Sequence, residues 1–200
     1  ITMDYVQHLK QDERLAGLIR QHGSFSIKQR KQVYFHLCSS IMSQQLSTKV
    51  AAVFHQRFLN LYDGKIPSAE AIVNTPFETL RSIGLSNAKA QYIQNVAQFE
   101  IQFGMQAAVL KKMGDEEVIQ YLTQIKGVGR WTVEMLLMFT LGRENVFPVD
   151  DLGIQQAMIN LYQIKYKDKK SLLNKMQKIA ASWAPYRTYA CMHLWHYKDN

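Results

Sequence analysis

The chain has 200 residues, 47% of them hydrophobic and 11% aromatic, which is enough apolar material for a packed core and too much for a disordered segment. Its 24 Lys and Arg outnumber 16 Asp and Glu, a net charge of +8 with a pI near 9.4, and that balance favours a polyanionic partner. Two cysteines, Cys38 and Cys191, are too few for a disulfide framework or a four-cysteine iron–sulfur cluster, and no apolar run is long enough to span a bilayer.

The apolar spacing is helical almost throughout. "ERLAGLIRQHG" carries Leu15, Leu18 and Ile19 on one stripe and stops at Gly23. "QVYFHLCSSIM" reads as a buried helix, and "STKVAAVFHQRFLNLYDG" repeats apolar residues at three and four before Gly64. "PFETLRSIG" opens with Pro76 at a first helical position, and "SNAKAQYIQNVAQFEIQFG" runs from a serine cap, Ser86, to Gly104. "DEEVIQYLTQI" has an acidic first turn that suits the positive end of the helix dipole. "WTVEMLLMFTLG", "DLGIQQAMINLYQI", "KKSLLNKMQKIAASW" and "PYRTYACMHLWHYK" complete about ten helices. No period-two run with turn signals occurs, so the expected class is all-α.

Between two of these helices lies "IKGVGRWT". Glycine inside a helix costs roughly 1 kcal/mol relative to alanine. Gly127 and Gly129 permit a turn that a side chain would obstruct. The amides of Gly127, Val128, Gly129 and Arg130 then stand at the start of the next helix, where a phosphate fits, flanked by Lys126 and Arg130. A plain helix–turn–helix corner would use the same residues. Further on, "VFPVDDLGIQQAM" places Asp150 and Asp151 at a helix start. There an aspartate is an ordinary cap, or a carboxylate available for chemistry.

"LTQIKGVGRWTVEML" resembles the helix–hairpin–helix of DNA glycosylases, with Lys126 where the family usually has proline. "FPVDDLGIQ" is similar to the aspartate-bearing segment of the same superfamily, the 3-methyladenine DNA glycosylase II branch in particular. The resemblance implies an all-α fold of two helical lobes with a DNA-binding cleft between them, lobe A being 1–31 plus 140–200 and lobe B 32–139. It implies a monofunctional glycosylase of base excision repair that flips out alkylated purines, hydrolyses their N-glycosidic bond and leaves an abasic site. Asp151 takes the catalytic position, and a one-residue slip would put Asp150 there instead. Such a carboxylate stabilises the oxocarbenium-like transition state and directs the attacking water. Bifunctional relatives carry a Schiff-base lysine just after the hairpin, where this chain has Trp131, which forms no imine.

The same resemblance assigns Trp131 and Tyr186 to the base pocket, since electron-rich rings suit a cationic alkylated base; as bare residues both also read as core aromatics. Tyr34, Phe35, Trp183 and Trp195 are assigned to the core. In "IMSQQLSTKVA", Gln45, or Leu46 as its alternate, matches the wedge that fills the gap left by the flipped base; on composition alone the pair is a solvated turn. The resemblance also implies a possible structural Na+ or K+ on the carbonyls of Thr123, Ile125 and Val128. It implies no other cofactor and no iron–sulfur cluster.

The expected partner is double-stranded DNA with damaged bases. No membrane is expected, the protein should be a monomer, and its place is the bacterial cytoplasm and nucleoid, or the nucleus of a eukaryote. Alternatives are a non-catalytic helix–hairpin–helix DNA-binding module and a glycosylase for oxidised or deaminated bases. Cys191, His193 and His196 look ligand-like but fall short of four donors, and "KYKDKK" from Lys165 reads as a solvated face. Arg187 is given a structural role.

Overall fold

The computed structural model describes residues 2–199, with side chains for all of these but Thr2, Met3 and Thr48. Thirteen helices and no strand occur among the described residues. In chain order they are α1 (Thr2–Leu9), α2 (Glu13–His22), α3 (Val33–Ser43), α4 (Thr48–Asn60), α5 (Ala69–Asn74), α6 (Phe77–Ser82), α7 (Asn87–Phe103), α8 (Ala107–Leu110), α9 (Asp115–Leu122), α10 (Arg130–Phe139), α11 (Leu152–Tyr162), α12 (Lys169–Ala181) and α13 (Arg187–Asp199). The all-α expectation holds. Helices α1, α5 and α8 are additions to the sequence reading. The latter two are only six and four residues long, below the length at which a helical period can be read. Pro76 stands one residue before α6 rather than at its first position.

The chain divides into two compact units, one formed by Ile1–Lys28 with Leu137–Asn200 and the other by Gln29–Leu136. In the second unit α7 is the central element. Ser86 caps it by accepting the Lys89 amide, and Ala90, Ile93, Val96 and Ala97 form a buried stripe at helical spacing. That stripe packs on α3, α5 and α6, where Leu37, Ile41, Ile72 and Leu80 are fully buried. Each such side chain contributes roughly 1.5–3 kcal/mol by burial.

In the first unit α13 packs on α2 and α11. A single carboxylate joins distant parts of this unit. Asp12 Oδ1 caps α2 through the amides of Arg14 and Leu15. Its Oδ2 accepts from Tyr162 Oη at 2.8 Å and from Trp183 Nε1 at 3.0 Å. The Tyr5 ring stacks on Tyr189 at 3.9 Å.

His193, fully buried on α13, lies against His22 of α2, with Nδ1 atoms 3.3 Å apart. His22 also stacks on His196. Among the described residues no group of three or more His, Cys, Asp or Glu is arranged to hold a metal ion. Burial, with the nearby His22 and His196, draws the His193 imidazole down to about 4. The folded protein therefore keeps His193 neutral, while the unfolded chain takes up the proton near pH 6.5. Stability should be fully present above pH 6.5 and decline as pH falls from there toward 4. Thermal melts across that window should show the decline, and His193→Gln should flatten it.

Candidate active site

The aspartate pair falls in the first unit, and its two members differ. Asp150 is exposed and pairs with Lys169 at 3.1 Å. Asp151 is 9% exposed and is the N-cap of α11, its Oδ1 accepting from the Ile154 amide at 2.8 Å. The same oxygen accepts from Trp195 Nε1, on α13, at 2.9 Å. The Asp151 carboxylate is thus fixed by a local cap and by an indole from the other end of the unit. Gly153 makes room for this. A Cβ there would stand 3.1 Å from Asp151 Oδ1 and 3.1 Å from Trp195 Cδ1, tighter than the neighbours accept without shifting. Leu152, the residue after Asp151, is 78% exposed.

Trp195 corrects the sequence reading, which had placed it in the core. Its ring is half-buried, meets Phe139 at 5.9 Å, and serves as the donor to Asp151. A partly buried tryptophan needs a partner for its N–H, but nothing in the string "HLWHY" names that partner. Of the other three aromatics given to the core, two are buried and one is not. Trp183 and Phe35 are buried, and Tyr34 is half-buried with its hydroxyl on the Pro67 carbonyl. Tyr186 is half-buried in a cluster with His8 at 5.5 Å, Tyr5 at 6.5 Å and Tyr189 at 6.4 Å. Arg187 donates to Asn145 at 2.7 Å, a structural contact.

The hairpin lies in the second unit, between α9 and α10. Gly127 adopts φ +102°, and a Cβ there would stand 2.1 Å from Tyr92 Cγ. Glycine is required on both counts. Gly129 keeps an ordinary φ and has open space around it. The expected set of four outward amides shrinks by one, because Val128 is buried and its amide donates to the Ile125 carbonyl at 3.0 Å. Ile125 is one of the three candidate cation carbonyls, and this bond leaves it a second lone pair. Lys126 is exposed and its carbonyl accepts from Asn95 Nδ2.

The Arg130 guanidinium is paired with carboxylates of the protein itself. Its two terminal nitrogens grip both oxygens of Glu116, and Nε donates to Glu134 at 3.0 Å. The acidic first turn of α9 supplies Glu116, and the i,i+4 spacing supplies the buried Glu134. The fork matches a carboxylate as well as it matches a phosphate. Hydrogen bonding to Arg130 holds Glu116 below the usual carboxylate range.

Trp131, in the first turn of α10, is 40% exposed, which removes it from the core. Gln45 is exposed and Leu46 half-buried in the turn after α3. Gln45 has φ +59°, in the left-handed region. Its neighbour Gln44 donates through Nε2 to Thr132 Oγ1 at 3.2 Å. The wedge candidate and the pocket candidate Trp131 are therefore each one residue from the same hydrogen bond. Tyr186 and Asp151 belong to the other unit.

The family model described as HhH-GPD superfamily base excision DNA repair protein matches residues 38–182, well over half of the chain. The chain belongs to this superfamily. It is 35% identical to DNA-3-methyladenine glycosylase 1 of Schizosaccharomyces pombe, over 92% of this chain and 80% of the relative. It is 31% identical to the putative DNA-3-methyladenine glycosylase YfjP of Bacillus subtilis, over 90% of this chain but 64% of that protein. Two solved structures agree. The S. pombe 3-methyladenine DNA glycosylase Mag1 in complex with abasic DNA superposes with a TM-score of 0.84 at 33% identity, covering 96% of this chain and 95% of that one. A DNA-3-methyladenine glycosidase from Bacillus halodurans gives 0.80 at 36% identity, covering 96% and 87%. The HhH-GPD fold and the 3-methyladenine branch expected from the motifs are both correct.

The hairpin geometry separates its two cations. Lys126→Ala should lower the slope of log binding against log salt by about one, the signature of a lost phosphate contact. Arg130→Gln should leave that slope unchanged while lowering the melting temperature. DNA titrations over a range of salt concentrations check both. Gly127→Ala should cost binding and stability together, because Tyr92 occupies the space the methyl group needs.

Proposed function

We propose that this HhH-GPD protein removes alkylated purines from double-stranded DNA by hydrolysing the N-glycosidic bond, leaving an abasic site. The observation that carries the reading is the Asp151 carboxylate, fixed at the start of α11 by the Ile154 amide and the Trp195 indole. The extruded nucleotide presents its C1′ to this group. As the bond breaks, positive charge grows on the sugar, and a carboxylate already oriented stabilises it without reorganising. The same group directs water to C1′ and takes its proton. An alkylated purine that is already cationic leaves as a neutral base, so a strong general acid is not needed. Trp131, exposed at 40%, offers its face to such a base, with Tyr186 as a further candidate. Absence of a lysine after the hairpin supports a monofunctional reaction.

Gln45, with Leu46 beside it, is the wedge that fills the emptied stack. Lys126 and the amides of Gly127, Gly129 and Arg130 hold the backbone phosphates, and an Na+ or K+ on the carbonyls of Thr123, Ile125 and Val128 would add positive charge beside them. Carbonyl oxygens suit such hard cations. The protein acts as a monomer wherever the cell keeps its DNA. Among the described residues no helix is long and apolar enough to cross a membrane.

Asp151→Asn should bind DNA as the parent does and lose at least ~100-fold in base release. Release should be seen from duplexes bearing 3-methyladenine and 7-methylguanine, in preference to hypoxanthine and 8-oxoguanine. Full activity in Asp151→Asn would sink the catalytic assignment. Binding without release from any of the four would favour a non-catalytic hairpin module.

A further inference from the structure

We propose that Lys89 is the positioning residue of the wedge, holding Gln45 in its left-handed conformation by tying down the carbonyls at the end of α3. This rests on the reading of Gln45 as the wedge.

Helix α3 ends at Ser43, and its last carbonyls have no partners within the helix. Lys89 Nζ donates to the Met42 carbonyl at 2.9 Å and the Gln44 carbonyl at 2.8 Å. Its cation also lies where the helix dipole is negative. The chain then places Gln45 at φ +59°, a conformation that a glutamine keeps only when its surroundings over-determine it. They do so from both sides. The Gln44 carbonyl is held by Lys89, and the Leu46 amide donates back to the Ser43 carbonyl at 3.1 Å. The Gln44 side chain is bound in turn to Thr132, beside Trp131.

Lys89 is itself placed by the start of α7, where its amide bonds the Ser86 cap. Half-buried, it turns its ammonium group onto the protein's own backbone rather than toward a polyanion. Burial lowers its pKa below the ordinary lysine range.

The test is Lys89→Met, which keeps length and removes charge. Single-turnover base release should fall ~100-fold on a methylated duplex, the scale of a small misplacement, and stay unchanged on a methylated single strand, which needs no wedge. Fluorescence of 2-aminopurine placed beside the lesion should show the lost unstacking. The salt slope of DNA binding should not move, and Lys89→Arg should restore duplex activity in part. Unchanged duplex release, equal loss on both substrates, or a slope lower by about one would each overturn the proposal. The last would make Lys89 a phosphate contact. If Lys89→Met does not fold, Lys89→Gln is read in the same assays. The glycosylase reading fails separately, if the unsubstituted protein releases no base from either substrate. The wedge reading fails if Gln45→Ala unstacks the duplex as the parent does, and Lys89's role falls with it.

Discussion

One oxygen atom, Asp151 Oδ1, is held by two N–H groups from separate helices, and the proposed chemistry depends on that fixation. A carboxylate at a helix start is an ordinary capping group, and the Ile154 amide makes it one here. What changes its meaning is the second donor, the Trp195 indole, brought in by the packing of α13 on α11. The two N–H groups approach from different elements, so the carboxylate cannot rotate without losing one of them. Gly153 is part of the same arrangement, since any side chain there would push the indole away. An oriented charge is worth more to a developing cation than a mobile one, because nothing has to rearrange as the bond breaks.

The distribution of positive charge follows a similar economy. The surplus of basic residues suggests a polyanion, yet individual cations are committed differently. Arg130 spends its guanidinium on Glu116 and Glu134 and so ties α9 to α10. Lys89 is turned onto the carbonyls at the end of α3. Lys169 pairs with Asp150, which distinguishes the two adjacent aspartates. Lys126, by contrast, stands exposed at the hairpin. A net charge describes attraction at long range; only the pairing shows which cations are left to meet a phosphate.

The long helices were legible in the sequence because each buries one stripe at helical spacing, as Ala90, Ile93, Val96 and Ala97 do. Their ends were legible at Ser86 and Gly104, where capping chemistry is local. The hairpin and the Asp151 segment were legible because a turn and a cap each depend on a few consecutive residues. Trp195, Lys89 and Gln44 were not. Each works through a partner that is remote in the chain, 44 residues away for Trp195 and Asp151 and 88 for Gln44 and Thr132. No periodicity encodes such a pairing. The pairing of Arg130 was not legible for a related reason. Its partners Glu116 and Glu134 were both visible, but whether an arginine faces a carboxylate or a phosphate is decided by tertiary placement.

The division of the chain has a consequence for its birth on the ribosome. Gln29–Leu136 is one uninterrupted stretch, whereas the other unit needs Ile1–Lys28 together with Leu137–Asn200. Synthesis proceeds from the amino end, so the contiguous stretch emerges with all its packing partners and can fold as it appears. The opening helices must wait. The Asp12 oxygen that Tyr162 and Trp183 will satisfy stays with water until translation has passed both. Closing so long a loop is slow, and the bond from the Trp195 indole to Asp151 is among the last contacts to be assembled.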